Sequence, residues 1–409
     1  MTLKWFLSKT VRQASAMRKH VQKLLDHQRD ILPSQAVSGL QAAIENMRQA
    51  VAGQGDKAVL EKQMTDLEGA ANKWLKPYPN AAWRENVEVL LVALSVAMGI
   101  RTFFLQPFKI PTGSMQPTLF GVTSTPDFSR GLEEPSAGNA NLVFPTGWQR
   151  VRDWFAGISY LDVKAKVDGP LERVDKPFAI LIFNIYQTLQ IGGVTHWILF
   201  PPDYGSVTLE QRAGLRRGAL YKKGDDVVRM RISSGDHLFV DRVSYNFRRP
   251  QRGEIVVFDT HGLVGVTPDT FYIKRLVGLG DETLALKQAY IVTGIPGFGT
   301  VPVGHLVVNG KQITASDPGF QNVYSYYGAA RGTETLAYKD NHYFGHGMIG
   351  NLQPGSEFNV TPNHYFVMGD NTMNSSDSRY WGDFPESQVI GKSFFVYWPI
   401  TDRFGWNYR

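Results

Sequence analysis

The stretch "WRENVEVLLVALSVAMGIRTFFLQPF", residues 83–108, constrains this chain more than any other. From Val87 to Leu105 it runs 19 residues, and its only charged side chains are Glu88 and Arg101, near the two ends. About 20 residues of this kind, wound as a helix, cross the hydrocarbon core of a bilayer. Charges near the ends can snorkel to the interface. The same composition also suits a helix buried in a protein core, so the sequence leaves both readings open. If the segment spans, charge sets its direction. Lys plus Arg number 13 against 8 Asp plus Glu over residues 1–86, which puts the N-terminal side in the cytoplasm and everything beyond 106 outside.

The two sides of this segment differ in period. Before it, Trp5, Leu7, Val11, Ala14, Met17, Val21, Leu24 and Leu25 recur three or four apart with Lys and Arg between them, which predicts an amphipathic helix. Further periodic stretches at 35–51 and 57–75 are separated by Gly53 and Gly55. Residues 1–82 therefore read as a helical region, a hairpin or packing arm, with an interfacial amphipathic helix as the alternative. No apolar core of a secretory signal follows the first lysines.

After 106, short Val/Ile/Phe/Tyr runs alternate with Gly, Pro, Asn and Asp: "DHLFVDRVSYNF", "GEIVVFDT", "TFYIKRLVGL", "HLVVNGKQI", "HYFVMGD", "KSFFVYWPI". This predicts a mostly β, largely antiparallel architecture with irregular connections. Residues 122–230 read as a separate β-rich block. Within it, "FAILIFNIYQTLQIGGVTHWILF" carries Asn184, Gln187, Gln190 and a Gly pair, so buried strands are expected there rather than a second crossing.

Cysteine is absent, which excludes disulfides, thiol nucleophiles and thiolate metal sites. The nine histidines form neither HExxH nor a close pair suited to zinc, so no cofactor or metal is expected. A net charge of +6, not gathered into a basic block, argues weakly for a membrane surface and hardly at all for nucleic acid.

The remaining chemistry centres on "FKIPTGSMQPTLFG", 108–121. Ser114 stands between Gly113 and Met115, with no histidine nearby in sequence. A serine hydroxyl is a poor nucleophile until a base removes its proton. Besides histidine, a lysine kept neutral by burial can do this, which asks for a shift of roughly two units from a free pKa near 10.4. "FYIKRLVGLGD" offers Lys274 in an apolar strand, on the same face as Tyr272 and Leu276. Taken alone, the strand also fits an edge lysine facing solvent beside Arg275.

These motifs together resemble the type I signal peptidases. "IPTGSMQPTL" is similar to that family's nucleophile box, and "GDHLFVDR", "RGEIVVF", "YIKRLVGL" and "GDNTMNSSDSRYWG" resemble its later boxes, in the family's order. The apolar stretch resembles its membrane anchor, and "VYWPITDRFGW" its C-terminal strand. The resemblance covers roughly residues 83–121 and 231–409, with about 110 residues inserted between.

It implies a signal-peptidase-like antiparallel β catalytic domain, built from 107–121 and 231–409 and interrupted by a 122–230 subdomain. It would follow a transmembrane helix at 83–106, in a bacterial plasma membrane. The implied activity is removal of signal peptides after an A-x-A-like site. Ser114 would be the nucleophile and Lys274 the general base. The Ser114 N–H and the Thr112 hydroxyl would hold the oxyanion, where the family usually has serine at 112. Ser375 would orient the lysine, and Asp377 with Arg379 would brace its loop. Phe108, Ile110, Leu119, Tyr272 and Ile273 would line the shallow substrate pockets. Implied partners are signal-peptide-bearing preproteins and the lipid bilayer, with the translocation machinery as a further candidate.

Two departures touch supporting loops: Thr372 and Met373 replace an arginine and an aspartate, and the proline of "GLPGD" is missing near 278–281. They keep alive the alternative of a membrane-anchored scaffold on a peptidase-like fold. A self-cleaving Ser/Lys repressor relative shares the chemistry, but the sequence has no obvious DNA-binding helix-turn-helix.

Overall fold

The structure is a computed structural model that describes residues 8–53, 56–76, 81–125, 142–180, 183–295, 298–324, 335–337 and 345–406. Trp5 and Leu7 of the first periodic stretch lie outside these residues. The chain divides into two units, Met1–Ser95 and Val96–Arg409.

In the first unit the helical period becomes α1 (Lys9–Gln28), α2 (Ser34–Ala52) and α3 (Lys57–Trp74). Ser8 caps α1 by accepting from the Val11 N–H, and the Gly53 N–H closes α2 on the Gln49 carbonyl at 2.7 Å. Val11, Ala14, Val21 and Leu25 pack with Leu40, Ile44, Met47, Leu60 and Leu67 into one core. This is three mutually packed helices rather than a hairpin, because each stripe finds two partners.

Helix α4 (Ala81–Phe103) carries the long apolar run. Its stretch Trp83–Phe103 has a mean hydropathy of 1.5 and is long and apolar enough to cross a membrane, and none of it is buried. The core-helix reading is not what the structure shows.

The second unit is strand-rich. Its main sheet contains β1 (Leu105–Lys109), β2 (His237–Asp241), β3 (Ile255–Asp259), β4 (Phe271–Leu279), β5 (His364–Met368), β6 (Phe384–Pro385), β7 (Val389–Trp398) and β8 (Gly405–Trp406). The order is β1-β2-β7-β3-β4-β5-β6, with β8 on β7, and the pairings are antiparallel. Lys274 therefore sits in an interior strand, opposite Val256, while β1 is the sheet edge. A second sheet is built around Thr283–Ile295 and Gly299–Val308.

Between β1 and β2 lie a three-stranded sheet (Thr123–Thr125, Ile158–Lys164, Asp226–Ser233) and a five-stranded one. Leu161, Leu171, Leu189, Ile191, Val228, Met230 and Ile232 share one core there. The run expected to be buried strands forms a hairpin, Phe183–Ile191 with Val194–Leu199, turning on Gly192 and Gly193 at φ 52° and 74°. Only one face of it is covered: His196 and Ile198 are buried, while Trp197 and Leu199 are 58% and 70% exposed.

Candidate active site

The chain leaves β1 through Ile110 and Pro111 and tightens into a single 3₁₀ turn, Gly113–Met115. Ile110, Met115 and Leu119 are buried against Leu238, Val240, Ile255, Val257 and Val396, which lays the turn on one face of the main sheet. Its backbone is tied from the far end of the chain. The Asn371 N–H donates to the Ser114 carbonyl and Asn371 Nδ2 to the Gly113 carbonyl, each at 3.0 Å. Gly369 is equally constrained: a Cβ there would lie 2.5 Å from the Ser114 carbonyl oxygen and 2.2 Å from Ser375 Oγ.

This arrangement brings Lys274 Nζ to 2.9 Å from Ser114 Oγ. Both side chains are buried, the serine 6% and the lysine 5% exposed. Nζ also donates to the Ile273 carbonyl at 3.0 Å. An ammonium has three donors to place and a neutral amine two donors and a lone pair. Among the described residues Lys274 has just these two hydrogen-bond partners, which suits an amine whose lone pair faces Ser114. Burial pushes its pKa down to about 8, against the opposing charges of Asp377 and Asp370 and with help from Arg379.

Thr112 Oγ1 lies 3.4 Å from Ser114 Oγ and is on the exposed side of the turn. Of the expected pocket residues, Phe108, Ile110, Leu119 and Ile273 pack in one cluster beside the turn. Tyr272 does not join them. Strand alternation sends it to the opposite face of β4, where it packs with Phe258 and Leu276, and its ring centre lies 5.3 Å from Lys274 Nζ. Tyr272 is a wall of the lysine rather than of the pocket cluster.

Ser375 is brought to the site, but no hydrogen bond joins its buried Oγ to the lysine; it stands close enough to Asp377 to help lower that carboxyl. Asp377 and Arg379 form a fully buried ion pair at 2.7 Å. Burial alone would raise the Asp377 carboxyl; the Arg379 charge and hydrogen bonds, with the Gly369 N–H, bring it below the ordinary carboxylate value. The altered loop residues have partners of their own. Thr372 Oγ1 accepts from Arg379 at 2.8 Å, its carbonyl accepts a second guanidinium bond at 2.7 Å, and Met373 packs beside Tyr290, Val292 and Val303.

Sequence reasoning missed a second buried ion pair. Arg275 reaches Asp370 through Nε at 2.7 Å and through a terminal nitrogen at 2.5 Å, and Thr118 Oγ1 donates to the same carboxylate at 2.5 Å. This joins the strand behind Lys274, the Ser114 turn and the 369–375 loop. The signal was an arginine beside the lysine in an interior strand, where solvent could not take it.

The family model described as "Signal peptidase, peptidase S26" matches residues 228–398. That stretch includes Lys274 and the 369–379 loop, while Ser114 lies before it. The signal peptidase I of Bacillus amyloliquefaciens is 30% identical over 172 residues, covering 42% of this chain and 69% of that protein. A probable signal peptidase I-2 of Synechocystis is 28% identical over 174 residues, 41% of this chain and 58% of that protein. The signal peptidase I of Aquifex aeolicus is 29% identical over 188 residues, 40% of this chain and 69% of that protein. The chain thus spans 58–69% of the length of these relatives. A crystal structure of a signal peptidase I from Enterococcus faecalis aligns with a TM-score of 0.23 and 24% identity, over 36% of this chain and 97% of that one.

Proposed function

Because the chain belongs to the type I signal peptidase family, we propose that it is a membrane-anchored serine endopeptidase that removes N-terminal signal peptides after A-x-A-like sites. The observation that carries this reading is the buried contact of Lys274 Nζ with Ser114 Oγ at 2.9 Å. With its pKa lowered to about 8, Lys274 can take the hydroxyl proton as Ser114 attacks the scissile carbonyl. The C–N bond then breaks as the same amine returns that proton to the leaving nitrogen. Water, deprotonated by Lys274, hydrolyses the acyl-serine. The developing oxyanion would sit between the Ser114 N–H and Thr112 Oγ1.

Phe108, Ile110, Leu119 and Ile273 would accept the small side chains of the cleavage site. A shallow apolar pocket separates substrates differing by one methylene by only about 1–3 kcal/mol, so pairing of the extended peptide backbone with a strand edge must add to selection. Residues 107–121 and 231–409 would form the peptidase, 122–230 an inserted subdomain, 83–106 the single crossing and 1–82 a cytoplasmic helical region of a bacterial inner-membrane protein.

The test is cleavage of a preprotein by the detergent-solubilised chain. The wild type should cut after A-x-A, and Ser114→Ala and Lys274→Met should each abolish cutting. Full activity in either variant would remove the mechanism. A reporter fused after residue 85 should stay cytoplasmic and one fused after 125 should not; the reverse pattern would overturn the orientation.

A further inference from the structure

Strand β1 is the edge of the main sheet. The Arg242 N–H donates to the Phe104 carbonyl at 3.0 Å, the Ile110 N–H donates to the Asp236 carbonyl at 2.9 Å, and the register between them is unbroken from Leu105↔Asp241 to Lys109↔His237. An antiparallel ladder uses every second residue toward a given neighbour. Residues 104, 106, 108 and 110 thus face β2, and the main-chain groups of Leu105, Pro107, Lys109 and Pro111 face outward. The two prolines have no N–H to offer. Lys109 is therefore the donor on that free edge nearest to Ser114.

The inserted subdomain reaches this point of the edge. Asp203 forms an ion pair with Lys109 Nζ. Gly205, at φ +73°, lies so close to the next outward residue that a Cβ would stand 2.7 Å from the Pro111 carbonyl oxygen. Between them Tyr204 is buried and anchored. Its hydroxyl donates to Gln187 at 2.8 Å and its carbonyl accepts from Arg212 Nε at 2.6 Å. Arg212 also donates to the Val122 carbonyl at 3.1 Å. His237, opposite Lys109, does not compete for the carboxylate, since burial and the Lys109 charge push its pKa down to about 4.

We propose that Asp203 is a positioning residue of the peptidase: by holding Lys109 it fixes the edge main chain on which an extended peptide pairs, and the Asp203–Gly205 turn ends that edge at Pro111. The inference rests on the reading of the chain as a peptidase and gives the insertion a part in recognition.

The experiment compares Asp203→Asn, Asp203→Glu and Lys109→Met on an A-x-A peptide, reading kcat and KM separately with the pH profile and thermal midpoint. Loss of one partly exposed ion pair should raise KM about threefold to fivefold. kcat and the pH midpoint should stay put, Glu should restore KM, and the Asn/Met double variant should be no worse than either single one. An unchanged KM in Asp203→Asn, or a fall in kcat that follows a lowered thermal midpoint, overturns the proposal. Peptide affinity of the Ser114→Ala background, with and without Asp203→Asn, separates the two readings. A wild type that does not cut, with a Ser114→Ala variant that does not bind the peptide, overturns both, whereas a wild type that cuts, with Ser114→Ala binding the peptide equally well with and without Asp203→Asn, overturns this one alone.

Discussion

Lys274 Nζ and Ser114 Oγ meet at 2.9 Å although 160 residues separate them in the chain, and the contact is shielded from solvent. Burial brings the lysine pKa to about 8, so the base form is a minority at neutral pH. kcat/KM should rise about tenfold per pH unit below 8 and level off above it, since this parameter reports the free enzyme's base. A midpoint near 6 would point to a histidine instead, and one near 10 to a solvated lysine.

The same burial costs stability. Because the folded pKa of Lys274 is depressed from 10.5 to about 8, the unfolded chain holds a proton between these values that the native state has lost. The cost is fully present below pH 8, and stability recovers as pH rises toward 10.5. Lys274→Met should therefore abolish cleavage while stabilising the fold by about 1–3 kcal/mol at pH 7, a gain that shrinks above pH 8. Denaturant melts of both proteins at pH 7 and pH 10 test this; a destabilised variant at pH 7 would contradict it.

Thr112 can be separated from Ser114 by its hydroxyl alone. Thr112→Val keeps the branched shape and should lower kcat by about 10²–10³ with little change in KM, the loss expected for one oxyanion donor. Thr112→Ser should stay within a few-fold of wild type. Equal activity in the Val variant would place the second donor elsewhere.

The helical period of residues 9–74, the apolar helix and the strand runs after 106 were legible because each depends on local spacing. Ser114 and Lys274 were legible from two boxes that resemble a known family. What could not be read was contact across the fold. Nothing in "GDNTMNS" tells which backbone Asn371 holds, and Arg275 looked like a solvent neighbour of the lysine until an interior strand buried it against Asp370. Tyr272 was assigned to the pocket with Ile273 by the family resemblance, but alternation gave it the other face of β4 from Ile273. Met373 looked like a lost charge, and it is a packed side chain.

The Asp377–Arg379 pair should act on Lys274 through charge as well as through the loop. The Asp377 charge raises the lysine pKa and the Arg379 charge lowers it, the carboxylate having the larger effect. Asp377→Asn removes the negative charge beside a buried guanidinium and leaves it only neutral acceptors, the new amide oxygen, Thr372 and the Gly347 carbonyl. That should destabilise by about 3–5 kcal/mol, the usual consequence of stranding one partner. It should also move the midpoint of the pH–rate profile below 8, because the remaining positive charge disfavours the ammonium. Arg379→Met should destabilise similarly yet move the midpoint up, as the carboxylate then favours the ammonium. Measuring kcat/KM against pH for both variants at a temperature where each is folded separates charge from scaffold. Opposite shifts support electrostatic tuning of the base, and identical profiles reduce the pair to a brace.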